Sequence, residues 1–470
     1  MNSILRFFLV LSLALAPAFC QKPAIKNWPV ELSPVVDPLV KQILDSSGVP
    51  SASLAITRDG QIAYERAYGY AQLNPPILAT PEMRYEIGSN SKQFTAAAVL
   101  LLEQDGKLSL DDPVSKYLPS LTRANEVTLR MLLSHTSGYQ DYSPENYMIP
   151  ANFDPITPAE ILDTWAKKAL DFDPGTQWQY SNTNYAIAAR IIEQVTEEPY
   201  IRFIQKRIFT PLAMKSAVDA DTGRFVEGGA RGYYRHALGP LRPAPREGRG
   251  WMYGAFALGM TAHDLALWDI SLVKRSLLKP ASYQQMFTSI RLKDGTDTHY
   301  ALGLATNPIA GHAALEHGGE TSGFTSENIV IPAEGISVSV LTNQDASNGA
   351  SQIAQQIASL LLSGQGADAV RAEAQSLALF ASFQQGKIDR SLFTPSCNAY
   401  FSQEALDDYA SSLKPLGAPS SFYLVSEAHR GGMIYRAFNA EFSGTGRRLK
   451  ITTLAMPDGK LQQYLVEPVE

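Results

Sequence analysis

Apolar positions along this chain recur with two periods, and the switches between them mark out its elements. Ser51 to Thr57 and Gln61 to Tyr68 are alternating runs on either side of Asp59-Gly60, a pair suited to tight turns, so a β-hairpin is predicted there. Leu39 to Ser46, just before it, has the spacing of a short amphipathic helix. From Ser89 to Glu103 the residues are apolar nearly all round, which predicts a buried helix stopped by Gly106. Leu108 to Leu118, around Asp111-Asp112-Pro113, reads as a loop with a short helix, and Val127 to Leu133 regains helical spacing. Thr157 to Lys168 predicts a helix with Thr157 as N-cap and Glu160 closing a capping box. Pro174-Gly175 then turns the chain into Trp178 to Asn182, a loop ahead of a buried helix over Tyr185 to Val195.

Gly228 to Gly250 is rich in Gly, Pro and Arg without periodicity and reads as an irregular surface excursion. Packed structure returns at Trp251 to Met260, whose aromatic residues either line a cleft or fill core, and Thr261 caps a following helix. Tyr300 to Thr306, Ala313 to Glu316, Phe324 to Ile331 and Ile336 to Asn343 predict short strands, with turns at Gly311, Gly318-Gly319 and Pro332 to Gly335. A helix over Ile353 to Leu362 closes this part. Beyond Ser363 to Gly366 the pattern changes to helices over Ala367 to Gln385 and Ser402 to Leu413. Strands follow over Phe422 to Ala428, Met433 to Phe442, Leu449 to Leu454 and Lys460 to Glu467. That order predicts a small α+β unit, helices against an antiparallel sheet, and no repeat of solenoid length interrupts it.

Composition narrows the class. The 470 residues are 45% hydrophobic and 18% charged, as in globular proteins, and long enough for a large core plus a second small domain. A net charge of -6 without a basic run argues against nucleic acid as a partner. Met1 to Arg6 is a short basic segment, Phe7 to Leu15 is apolar, and Ala16-Pro17-Ala18 is small, which together read as a secretory signal peptide too short for a membrane span. Cleavage after Ala18 or Cys20 is favoured over lipid attachment at Cys20, because Phe19 is bulky where lipoprotein processing wants a small residue. The expected layout is therefore a leader over 1–20, a main domain over 21–365 and the small α+β domain over 366–470, with secretion or the periplasm as the destination. Helix-then-sheet order in the last part suits an NTF2-like or cystatin-like fold.

Candidate chemistry sits in three places. Ser89 and Lys92, three residues apart at the mouth of the buried helix, share a helix face at a Cβ separation of about 5–6 Å. The ammonium can thus reach the hydroxyl, which needs a neighbour to take or repel its proton before it becomes a nucleophile. The bland alternative is an N-cap serine beside a snorkelling lysine. Tyr180 and Asn182 lie on the loop before a helix, where polar groups converge on clefts, or else serve as a packed tyrosine and a turn asparagine. His317-Gly318-Gly319-Glu320 lies beside a strand, where glycines permit close approach of a ligand or another backbone. His135 invites a catalytic reading, against that of a residue satisfying the loop after a helix. No G-x-S-x-G and no H-E-x-x-H occurs, which disfavours an α/β-hydrolase and metal-dependent hydrolysis.

In this order, Ser89-x-x-Lys92, Tyr180-x-Asn182 and His317-Gly318-Gly319 resemble the motifs of the serine β-lactamase and penicillin-binding protein superfamily. The chain is most similar to its class C branch, with the D-aminopeptidases, DD-carboxypeptidases and related esterases. Leu132 to Gly138, the Asp59-Gly60 hairpin and Pro174-Gly175 share the likeness, which spans Pro38 to Leu362. It implies an α/β (α+β) β-lactamase/transpeptidase-like fold. The N-terminal hairpin and later strands would join in one antiparallel sheet flanked by helices, with an all-helical region and the cleft beside the Ser89 helix. It implies Ser89 as the acylated nucleophile and Lys92 as an aid to its deprotonation. Tyr180 would be the general base, its phenol acidified by Lys92, and Asn182 would orient Lys92 and the substrate amide. The backbone N–H groups of Ser89 and Glu320 would form the oxyanion hole. No cofactor or metal is implied, and the partner is a small-molecule or peptide substrate; oligomeric state is open. The departure is His317-Gly318-Gly319, where β-lactamases carry Lys-Thr/Ser-Gly. A mostly neutral histidine is a poor partner for a substrate carboxylate, which turns the expectation toward an ester or a D-residue amide. The alternative function is a penicillin-binding or peptide-sensing module without turnover.

Overall fold

In the computed structural model, which describes residues 32–145, 147–222, 228–362, 367–442 and 446–469, the predicted hairpin is formed by β1 (Ser51–Arg58) and β2 (Gln61–Leu73). Asp59 and Gly60 at its turn both take positive φ, 50° and 75°. A short β3 (Pro76–Leu78) extends one edge, and β4 (Leu315–Thr321), β5 (Phe324–Ile331) and β6 (Ile336–Thr342) return from late in the chain to complete an antiparallel sheet ordered β3-β2-β1-β6-β5-β4. The join is β1 against β6, in register from Ala52 with Thr342 to Arg58 with Ile336. The expected leader and the junction at 363–366 lie outside the described residues.

The longer helices of this part are α1 (Ser33–Ser47), α2 (Ser91–Gln104), α3 (Asn182–Thr196), α4 (Ala262–Lys274) and α5 (Gly349–Leu362). On one face of the sheet, Val36, Ile43, Ile353 and Ile357 of α1 and α5 pack against Leu54, Ile56, Val338 and Val340. The other face carries small polar residues, and α4 docks there through Asp269, which accepts hydrogen bonds from Asn328 Nδ2 at 2.8 Å and Ser339 Oγ at 2.7 Å. A buried carboxylate needs such partners. Beyond α4 lies the helical region built round α2, where Phe94, Leu100, Ile187 and Trp268 share a core.

Local signals explain several boundaries. Thr157 and Glu160 form the reciprocal capping box, although the helix they start is one short turn, Pro158–Ile161, continued by a π-turn at Leu162–Ala166. Thr261 caps α4 by accepting from Asp264 N–H. Helix α1 starts well before Leu39: it runs through Pro38, held by the buried Val35, Val36, Val40 and Ile43. Two strand expectations need correction. Tyr300 to Thr306 forms isolated bridges, Tyr300 with Ala305 and Ala305 with Glu316 of β4, and no strand, because it turns back on itself between Ala301 and Leu304 and pairs with β4 only at Ala305. Gly318-Gly319 is no turn either. His317 to Glu320 lies inside β4, paired with Thr325 to Asn328, and the reversal falls at Ser322-Gly323.

After the junction, α6 (Ala367–Phe383), a short helix Pro395–Tyr400 and α7 (Gln403–Leu413) lie against a four-stranded meander. Its strands are β7 (Ser421–Arg430), β8 (Met433–Phe442), β9 (Arg447–Ala455) and β10 (Leu461–Pro468). Phe380, Phe383, Phe401, Phe438, Ile451 and Tyr464 form a core of their own there. The architecture is an antiparallel sheet flanked by helices, a helical region beside it and an added small sheet unit. Among the described residues no helix is long and apolar enough to cross a membrane.

Candidate active site

Ser89 occupies a 3-10 turn, Gly88–Asn90, that leads into α2. Gly88 takes a positive φ of 53°, and a Cβ there would stand 2.4 Å from the Glu320 nitrogen; one on Gly319 would stand 2.0 Å from the Ile87 oxygen. Both glycines are thus demanded by the contact between the serine turn and the edge strand β4. A Cβ on Gly318 would meet its nearest atom, Glu327 Oε2, at 3.5 Å, an ordinary contact. Polar side chains fasten the same junction. Ser326 Oγ donates to Ile87 O at 2.8 Å and accepts from Asn90 Nδ2 at 2.9 Å; Gln93 Nε2 donates to Asn90 Oδ1, and Trp268 Nε1 to Gln93 Oε1, each at 2.8 Å.

Lys92, fully buried, donates to Ser89 Oγ at 2.9 Å, to Asn182 Oδ1 at 2.8 Å and to the Ala255 carbonyl at 3.1 Å. Burial pushes its ammonium down to about 7, against the attraction of Asp141. A neutral amine fits the same three neighbours: two N–H bonds go to Asn182 and Ala255, and the lone pair faces the Ser89 hydroxyl. Tyr180 hydrogen-bonds the Ser89 side chain, with Lys92 Nζ 4.7 Å from its ring centroid. Its phenol is not acidified as expected. Burial raises it above its ordinary value, because a desolvated site favours the neutral forms of both Tyr180 and Lys92.

Asn182, the first residue of α3, is itself oriented by Asp141, whose Oδ1 accepts its backbone N–H at 2.9 Å and Oδ2 its side-chain amide at 3.3 Å. Sequence reasoning missed Asp141, since one aspartate in a loop carries no spacing signal. His135, buried and left-handed at φ 60°, accepts the Ser181 N–H on Nδ1 at 3.1 Å and lies 4.3 Å from the Tyr180 ring, centroid to centroid. It braces the tyrosine loop, so of its two readings the structure takes the structural one.

His317 stands behind Tyr180, ring centroids 6.2 Å apart. Its Nδ1 lies 2.5 Å from the Gly318 carbonyl and its Nε2 2.9 Å from the Tyr300 hydroxyl. These partners assign the proton to Nδ1, with Nε2 accepting from Tyr300. Burial and then the Lys92 charge push the imidazole down to about 4, so it is neutral at physiological pH. A cleft of about 210 Å³ opens on this group. Ser89, Tyr180, Asn182 and Glu320 line it, with Trp251 and Phe256, which also belong to the buried core, so the aromatic segment serves as both cleft wall and core; Tyr253 is not among the lining residues. Lys92 lies beneath, and His317, Gly318 and Gly319 do not line it.

Fold and site together define a protein of the β-lactamase and penicillin-binding class. The chain belongs to the Beta-lactamase family, whose model matches residues 36–362. It is 32% identical over 258 residues to the Bacillus subtilis protein named as penicillin-binding protein PbpX, covering 55% of this chain and 62% of that one. This chain thus spans 62% of the length of that curated relative. A D-stereospecific amidohydrolase from Streptomyces sp. superposes with a TM-score of 0.59 at 26% identity, over 67% of this chain and 96% of that one. An octameric penicillin-binding protein homologue from Pyrococcus abyssi superposes with a TM-score of 0.62 at 22% identity, over 92% and 98%, a likeness of fold.

Proposed function

We propose that the protein is an exported serine hydrolase that cleaves an ester or amide through an acyl-enzyme on Ser89. The bond from Lys92 to Ser89 Oγ at 2.9 Å, in a pocket that favours the neutral amine, carries the assignment. The hydroxyl proton passes to Lys92 Nζ as Oγ bonds to the substrate carbonyl carbon. The backbone N–H groups of Ser89 and Glu320 would receive the negative charge on the former carbonyl oxygen, a role supported by the close approach of the Glu320 nitrogen to Gly88 beside the serine. The C–O or C–N bond then breaks, and the leaving group takes the proton back, relayed by the Tyr180 phenol. Water repeats the sequence on the ester and frees Ser89.

The substrate class follows from charge. With His317 neutral and turned to Tyr300, the position that supplies a cation in β-lactamases supplies none here, so esters and amides are favoured over carboxylate-bearing β-lactams. The amidohydrolase likeness supports the same class. Residues 1–20 support export, and N-terminal sequencing of the mature protein checks it. The central test follows intact mass and turnover with a short-chain activated ester and with a penicillin. Ester turnover lost in Ser89→Ala, with an unchanged circular-dichroism spectrum, is the expected result. Turnover that survives the substitution overturns the assignment, and a stoichiometric adduct that never hydrolyses shows a sensor instead.

A further inference from the structure

Tyr300 reaches His317 from outside the three motifs. Its backbone is pinned on both sides: its N–H donates to Thr298 Oγ1 at 3.2 Å, and its carbonyl accepts the Ile290 N–H at 2.9 Å. Its buried ring lies between His135 and Trp178, with centroids 4.9 and 5.8 Å away. From there its hydroxyl meets His317 Nε2 at 2.9 Å, the two rings edge to face. Tyr185 is no substitute donor, because its hydroxyl donates to the Leu133 carbonyl at 2.7 Å. The Gly318 carbonyl takes the Nδ1 proton, so both nitrogens of His317 are spent on the protein. An imidazole has no third polar atom to offer a substrate. The titratable groups facing this ring are Lys92, His135, Tyr180 and Tyr300, with Asp269 one residue further, bonded to the Asn328 that pairs with His317 across the sheet. The turn of the ring thus hangs on one hydroxyl. Without it, Nε2 becomes a buried acceptor with no donor, a state relieved by rotation toward the cleft, which the ring's neighbours Tyr180 and Glu320 line.

We propose that Tyr300 is a positioning residue that sets the charge of the substrate: its hydroxyl holds the His317 ring back, so that no cation forms where a substrate carboxylate would need one. This rests on the serine hydrolase reading above and adds the residue that enforces its preference. The test uses 3-acetoxybenzoate and its methyl ester, two acetyl esters whose leaving groups differ only in carrying or lacking a carboxylate, which stays ionised above about pH 5.5. The ratio of their kcat/KM values, acid over methyl ester, cancels the titration of Lys92, since only its neutral form turns over either one. Cleft carboxylates, Asp345 at about 6 among them, titrate in the same range and act alike on wild type and variant, so the reading is the ratio in Tyr300→Phe over that in the wild type. Phenylalanine keeps the ring and removes the oxygen. The reading should rise about tenfold from about pH 7.5 to about pH 5.5, because an imidazole freed to its ordinary pKa of about 6.5 goes from about one-tenth to about nine-tenths charged. The rise should vanish in Y300F/H317Q. A flat reading with Ser89-dependent turnover intact overturns this inference and leaves the hydrolase reading standing, and so does a rise that persists in the double variant. No Ser89-dependent turnover of either ester overturns both. Nitrogen NMR of the wild type with 15N-labelled histidine decides without any variant having to fold. A neutral His317 protonated on Nδ1 at pH about 7 is expected, and a charged ring, or one protonated on Nε2, overturns the inference.

Discussion

Lys92 sits where three acceptors converge, and its charge is the variable on which turnover depends at the scale of single residues. Its pKa is depressed, so the neutral amine that can accept the serine proton predominates above about 7, and kcat/KM for a neutral ester is expected to rise with pH through that region. The Asp141 carboxylate pulls the other way, favouring the charged form. Asp141→Asn should therefore move the rising limb to lower pH by about one unit, the size expected for one nearby opposite charge, measurable in a pH–rate profile. Lys92→Arg, permanently charged and without a lone pair, should cost about a hundredfold or more in kcat. The separation of three between Ser89 and Lys92 showed that the two could touch, while their chemical reading came only with the order of the motifs and the family likeness. Tyr180 and Asn182 became legible through order and family likeness. Asp141 bonds Asn182 from 41 residues away, and Ala255 contributes a backbone carbonyl, so no pattern of side chains along the chain could have marked either.

Elements matter here through how closely two of them approach. The serine turn and β4 meet backbone to backbone, which makes Gly88 and Gly319 structural requirements and Gly318 a free choice. Gly319→Ala should lose at least about 1–3 kcal/mol of stability, together with most turnover, because the strand must move off the turn. Gly318→Ala should leave the melting temperature nearly unchanged; thermal unfolding of the two variants side by side separates them. Within α2, Phe94 packs against Phe209 and Trp268, centroids 5.7 and 4.7 Å away, so Phe94→Ala should cost about 3–5 kcal/mol in denaturant unfolding. The elements read well from sequence are those with their own punctuation: the Asp59-Gly60 hairpin, the Thr157–Glu160 box, the Thr261 cap. The glycines of His317-Gly318-Gly319 read as a turn because local preference favours one. The other sequence reading, close approach of a second backbone, is the one that holds, and only at Gly319, where the serine turn fills the space a side chain would have taken.

At the scale of the whole molecule, the C-terminal helices and meander carry a separate core of phenylalanines, and every residue lining the cleft precedes them. Deleting 367–470 is expected to leave Ser89 acylation intact, as read by intact mass after exposure to an activated ester. Loss of labelling in a truncated protein that is still folded would contradict this. The central sheet carries a different consequence. Ala52 of β1 finds its partner in Thr342 of β6, so the two halves of the sheet are separated by most of the domain's length. A chain emerging from its N-terminus must keep the β1 edge unpaired until nearly all of that length has been delivered. Closing so long a loop is entropically late, and an open edge invites pairing with other chains. Refolding from denaturant should accordingly be slow and its yield should fall as protein concentration rises, with the active site, built against that sheet, among the last features to appear.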